Sequence, residues 1–236
     1  MAIYVTSDLH GLMPEDLERL LQKANFSDSD WLYILGDVID RGGDGGAALL
    51  KWLLYQPNVQ LLLGNHEAML LSCGFVFDEV TEESIDSFSK EKMALLQNYL
   101  FNGGDVTLKS LRELNRTDRE TLLEMLDYLR DCPLYESVSA GERDFVLVHG
   151  GFENFSTAKK LSDYTADELI WYSTSPDDRY FDNALTVFGH TPTAAYGEEY
   201  RGKIFRTPTW ICVDVGVPYG NSPALLRLDD LAEFYL

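Results

Sequence analysis

Five short polar segments carry all four histidines of the 236-residue chain: TSDLHG at 6–11, GDVIDRGG at 36–43, GNHE at 64–67, HGG at 149–151 and GHTP at 189–192. Together they offer Asp8, His10, Asp37, Asn65, His149 and His190. These are carboxylate, amide and imidazole donors, a set suited to one or two metal ions of intermediate hardness. Taken singly, each has a plainer explanation. A histidine after a strand is commonly a hydrogen-bonded structural residue, and an aspartate beside glycine is commonly a turn. The coincidence of five such segments is what points to metal chemistry. GDVIDRG also places Asp37, Asp40 and Arg41 within five residues, and GNHE interrupts the apolar run LLLGNHEAMLL at 61–71, whose flanks belong in a core.

Each polar segment follows an apolar, strand-like run: 2–7, 31–35, 59–63, 144–148 and 185–188, with a further run at 210–215. In open α/β sheets, loops at the carboxyl ends of strands converge on ligands while the strand interiors are committed to packing. Helical patterns lie between the strands. Pro14 opens one in which Leu17, Leu20, Leu21 and Ala24 share a face, and 44–55 reads similarly through Ala47, Leu50 and Leu54. Thr117 with Glu120, and Thr165 with Glu168, have the spacing of capping boxes. The first box would open a helix carrying Leu122, Leu126 and Leu129, and the second a helix carrying Leu169, Ile170 and Trp171. The alternation predicts a layered α/β fold. One domain over 1–236 is expected, with a helical insertion or cap at about 73–136 that includes the acidic run DEVTEESID, and a strand-like, turn-rich region at 203–236.

The charge of −20, from 39 acidic and 19 basic residues, argues against nucleic acid as a partner. No apolar run reaches the roughly 20 residues of a membrane span, and the start lacks a signal-peptide pattern. Cys73, Cys132 and Cys212 are few and not at zinc-site spacings, so they read as small core residues of a cytoplasmic protein.

The DxH, GDxxDRG, GNHE, HGG and GH segments resemble those of calcineurin-like metallophosphoesterases, in the phosphoprotein-phosphatase branch, and NGGDVTL at 102–108 is similar to a segment of bacterial members. The resemblance implies a central mixed β-sheet or β-sandwich flanked by helices, and two divalent cations, with Mn the leading expectation and Fe or Zn the alternatives. It implies that Asp8, His10 and Asp37 hold one cation, and that Asp37, Asn65, His149 and His190 hold the other. Cations about 3.5–4 Å apart lower the pKa of a shared water and clamp phosphate oxygens for in-line attack. His66, bonded to Asp40, would protonate the leaving group, with Asp40 raising the imidazole pKa and fixing its orientation. Arg41 would hold phosphate oxygens through its planar fork. Gly64 would allow a tight turn, and Glu67 would support these residues or the helix start. Several bacterial relatives carry a second phosphate-contacting arginine two residues after a tryptophan. Here Tyr172 and Ser173 follow Trp171, leaving Arg179 as the nearest basic candidate and an exposed, solvated arginine as its simpler reading.

The resulting expectation is a dinuclear-metal phosphomonoesterase acting on phosphorylated Ser/Thr residues of proteins or on a small phosphoester. The alternative is a dinucleoside tetraphosphate hydrolase. A non-catalytic scaffold is disfavoured, because Asp40, Arg41, His66 and the full ligand set are retained.

Overall fold

The computed structural model describes residues 1–79, 81 and 89–236, so most of the acidic run at 78–86 lies outside the described residues. Among the described residues, ten strands form two five-stranded mixed sheets. The first has the order β10-β9-β1-β2-β3, where β1 is Ile3–Thr6, β2 Trp31–Ile34, β3 Val59–Leu61, β9 Ala224–Arg227 and β10 Ala232–Tyr235. The second runs β4-β5-β6-β8-β7, where β4 is Tyr135–Ala140, β5 Arg143–Val148, β6 Ala184–Phe188, β7 Phe205–Arg206 and β8 Trp210–Cys212. Each sheet contains three adjacent parallel strands, β1-β2-β3 in one and β5-β6-β8 in the other. The remaining pairings are antiparallel.

Side-chain alternation explains the layering. Ile3 and Val5 of β1 pack with Phe145 and Leu147 of β5 in a core between the sheets. Tyr4, Leu32 and Ile34 face the other way, into a larger core under the helices. Val146 and Val148 join Phe152, Leu169 and Trp210 on the far side of the second sheet. Both faces of each sheet are thus covered, which is why β1 is buried at all four positions and reads as a nearly continuous apolar run.

Helices α1 (Pro14–Lys23), α2 (Ala47–Leu53) and α3 (Asn65–Ser72) connect or follow the first three strands. Among the described residues, α4 (Lys90–Phe101), α5 (Asp105–Thr117) and α6 (Arg119–Arg130) lie between α3 and β4, and α7 (Ala166–Ile170) lies between β5 and β6. Among the described residues no helix is long and apolar enough to cross a membrane. The three cysteines are free and buried, as core residues should be.

The Thr165–Glu168 capping box opens α7 as expected. Thr117 and Glu120 do not form one. Thr117 ends α5 and its hydroxyl donates back to the Glu113 carbonyl, while Asp118 caps α6 by accepting from the Thr121 amide at 3.2 Å. The two helices abut too closely for Thr117 to leave the first and cap the second. In denaturant unfolding, Asp118→Ala is therefore expected to lower the midpoint, and Thr117→Ala to lower it less. The reverse order would restore Thr117 as the cap.

Candidate metal centre and active site

The six parallel strands point their carboxyl ends to one place, and polar residues leave each of them. Asp8 and His10 follow β1, Asp37 to Arg41 follow β2, Asn65 and His66 follow β3, His149 follows β5, His190 follows β6 and Asp214 follows β8. Among the described residues nine non-glycine residues have positive φ. Six of them, Asp8, His10, Asp37, Asp40, Arg41 and His190, belong to this cluster. Such conformations cost on the order of 1 kcal/mol or more each, so the backbone is strained where the side chains must converge.

Asp37 is central. Its Oδ1 lies 3.5 Å from His149 Nε2, and its Oδ2 lies 3.8 Å from His10 Nε2 and 3.9 Å from His66 Nε2. Two donor groups result, His10–Asp37–His66 and Asp37–His149–His190, with donor atoms within 4.8 Å of one another. Asp8 Oδ1 approaches His10 Nε2 at 3.9 Å, and Asn65 Oδ1 lies 2.9 Å from both His149 Nε2 and His190 Nδ1.

Hydrogen bonds behind the cluster set the tautomers. His10 Nδ1 lies 2.8 Å from the Ile39 carbonyl and His149 Nδ1 lies 2.5 Å from the Leu35 carbonyl. A carbonyl only accepts, so each Nδ1 carries a proton and each Nε2 is turned inward. Arg41 agrees. Its guanidinium, which only donates, lies 3.2 Å from His10 Nε2 and 2.9 Å from His66 Nε2. At His149, Nε2 faces the Asn65 and Asp37 oxygens, a donor set that fits a cation. Charge points the same way. Burial, then Glu67 and Asp8, pushes the Asp37 carboxyl well up, and burial, then Asp8, does the same to Asp214. Burial also pushes His10, His66 and His190 down to about 3, which keeps these imidazoles neutral and leaves His10 and His190 available as ligands.

His66 Nδ1 lies 2.6 Å from Asp40 Oδ2. The expected rise in the His66 pKa does not follow: burial first, then Arg41, pushes the imidazole down. Burial instead lifts Asp40 to about 7, against hydrogen bonds from Thr107 and Tyr99. Gly64 also differs from expectation. Its φ of −96° is open to any residue, and what it provides is space, since a Cβ there would sit 2.2 Å from Asp37 Oδ1. Arg179 stays outside the cluster, exposed and bonded to the Pro176 and Asp178 carbonyls.

Four contributors carry no assigned chemistry in the sequence reading. Glu67, fully buried, accepts from the amides of Asp37, Val38 and Ile39 and from that of Gly64, tying the loop after β2 to the start of α3. Glu67→Ala would strand four amides, and we expect it to cost about 3 kcal/mol or more in denaturant unfolding. A loss under about 1 kcal/mol would show that the loop holds itself. Thr107 and Tyr99 reach Asp40 from the helices between α3 and β4. Asp214 was available to the strand-end rule that found the others, whereas nothing in the sequence of α4 marks Tyr99.

Residues 1–219 match the calcineurin-like phosphoesterase family. The chain belongs to that family. Among curated proteins, a symmetrical bis(5'-nucleosyl)-tetraphosphatase of Acidovorax sp. (strain JS42) is 31% identical over 174 residues, covering 73% of this chain and 49% of that protein. The enzyme of the same name from Dechloromonas aromatica (strain RCB) is 28% identical over 235 residues, covering 99% of this chain and 70% of that protein. The first of these matches thus spans about half of the relative's length. A crystal structure described as a putative diadenosine tetraphosphatase superposes with a TM-score of 0.60 at 19% identity, covering 100% of this chain and 92% of that chain, which shows the shared fold. The calcineurin-like phosphoesterase fold is thus the layered α/β architecture expected. The expectation of a Ser/Thr protein phosphatase is corrected by these relatives, which carry the tetraphosphatase name.

Proposed function

We propose that the protein is a metal-dependent phosphoric ester hydrolase that cleaves dinucleoside tetraphosphates symmetrically, giving two nucleoside diphosphates. The observation that carries this reading is the match along 99% of the chain to a symmetrical bis(5'-nucleosyl)-tetraphosphatase. Asp8, His10 and Asp37 would hold one divalent cation, and Asp37, Asn65, His149 and His190 the other. Asp37 suits the shared position because its two oxygens face different donor groups. Mn is the first candidate, with Fe and Zn as alternatives. When bound, such cations supply Lewis acidity, withdrawing charge from phosphate oxygens and lowering the pKa of water.

The rest falls to the chain. Arg41, exposed at the mouth of the cluster, presents its fork to two oxygens of the scissile phosphate. His66, held through Nδ1 by Asp40, directs Nε2 inward, where it can deliver a proton to the departing phosphate oxygen. The net charge of −20 repels a tetraphosphate at a distance, but salt screens that field within about 8 Å, and inside the site local cations dominate.

The test is product analysis with diadenosine tetraphosphate and Mn. ADP as the sole nucleotide product is expected. ATP with AMP, or no cleavage by protein that binds the cations, would overturn the reading.

A further inference from the structure

Asp40 is fully buried and its carboxylate is divided between two tasks. Oδ2 takes the His66 Nδ1 proton at 2.6 Å, while Oδ1 lies 2.7 Å from the Tyr99 hydroxyl and 2.5 Å from the Thr107 hydroxyl. Thr107 Oγ1 also accepts from the Asp40 amide at 3.0 Å and lies 2.9 Å from the Gly45 carbonyl, so it grips the side chain and the backbone of one residue. Tyr99 and Thr107 are themselves fully buried, on α4 and α5. The turn between these helices adds a third hold, since the Gly103 carbonyl accepts from the Arg41 amide at 3.0 Å. Asp40 and Arg41 both stand at positive φ, 73° and 65°, a pair of strained residues that persists only where the surroundings fix it. Gly104 lets the Tyr99 ring lie against the backbone, because a Cβ there would come within 2.5 Å of the ring.

We propose that Tyr99 and Thr107 are positioning residues for the reaction, acting through Asp40 to hold the His66 imidazole in one orientation and one tautomer. The helices between α3 and β4 are then part of the active site. A carboxylate that accepts from two fixed hydroxyls on one oxygen cannot rotate its other oxygen away from the imidazole without leaving buried donors unpaired. Outer partners of this kind typically change activity by about 10–100-fold when removed.

The kinetic test rests on the hydrolase reading above, and a spectroscopic one does not. With diadenosine tetraphosphate and Mn, Tyr99→Phe and Thr107→Val are each expected to lower kcat about 10-fold or more with KM within about twofold, and Thr107→Ser, which keeps the hydroxyl, to restore kcat to within about twofold. In an Asp40→Asn background, Tyr99→Phe should lower kcat by less than about twofold, because the path through Asp40 is already broken. The proton on His66 Nδ1, identified by NMR from its absence in His66→Asn, should shift in Tyr99→Phe without any substrate present. An unmoved Nδ1 proton, or an equal loss of kcat in the Asp40→Asn background, would overturn the proposal. Absence of dinucleotide cleavage by the wild type would remove the hydrolase reading alone, and the Nδ1 proton would still decide the positioning role.

Discussion

Asp37→Asn is expected to bind neither cation tightly and to lose activity by on the order of 10³-fold or more, equivalent to several kcal/mol of transition-state stabilisation. The geometry makes this residue the costliest to change. Its two oxygens face different donor groups, Oδ1 towards His149 and Oδ2 towards His10. An asparagine has one oxygen, and its amide nitrogen would turn N–H donors towards nitrogen lone pairs where a cation is needed. The fold should survive, because Asn tolerates the φ of 56° at this position. Metal-free stability should even hold or rise. A carboxyl whose pKa is raised on folding destabilises the protein at pH values above its unfolded value, near 4, and a neutral amide removes that penalty. Titration calorimetry with Mn and thermal unfolding in chelator check both halves. Two cations bound as tightly as in the wild type would refute the shared role.

The same residue shows how much of the site is legible in the sequence. Asp37 is found because it follows an apolar run that must be a strand, and parallel strands bring their carboxyl ends together whatever their order in the chain. That rule finds Asp8, His10, Asn65, His149 and His190 equally. It reads position along a strand and needs no knowledge of packing partners. It fails for Tyr99, because a tyrosine near the end of a helix looks like any core aromatic, and only packing of α4 over the loop after β2 makes its hydroxyl a partner of Asp40. Strands divide in the same way. β1 is buried at all four positions, β5 at its last four and β2 at Leu32 and Ile34, and all three are legible as apolar runs, whereas β4, YESVSA, lies beside β5 at a sheet edge and alternates too weakly to be seen. Leu50 is buried as expected, whereas Leu54 caps α2 in a half-buried position and Leu49 and Leu53 complete the buried face.

His66→Asn is expected to leave both cations bound and to lower kcat by about 10²-fold, the low end of what a general acid contributes. His66 is fully buried, and burial pushes its imidazole down to about 3, so the added proton is poorly held by the protein alone. A bound polyphosphate changes this, because its negative charge beside Nε2 favours the imidazolium. The departing group in symmetrical cleavage is a nucleoside diphosphate, whose terminal phosphate has a pKa near about 6 and leaves with little help from an acid. An alkoxide leaving group needs the proton far more, and there the loss should approach about 10⁴-fold. The signature of His66 is therefore the dependence on leaving-group basicity. Across phosphate esters of graded leaving-group pKa, rates of the His66→Asn protein should fall more steeply than those of the wild type. Parallel lines, with metal content unchanged, would remove His66 from the proton transfer and leave it a role in orienting Arg41, whose guanidinium lies 2.9 Å from Nε2.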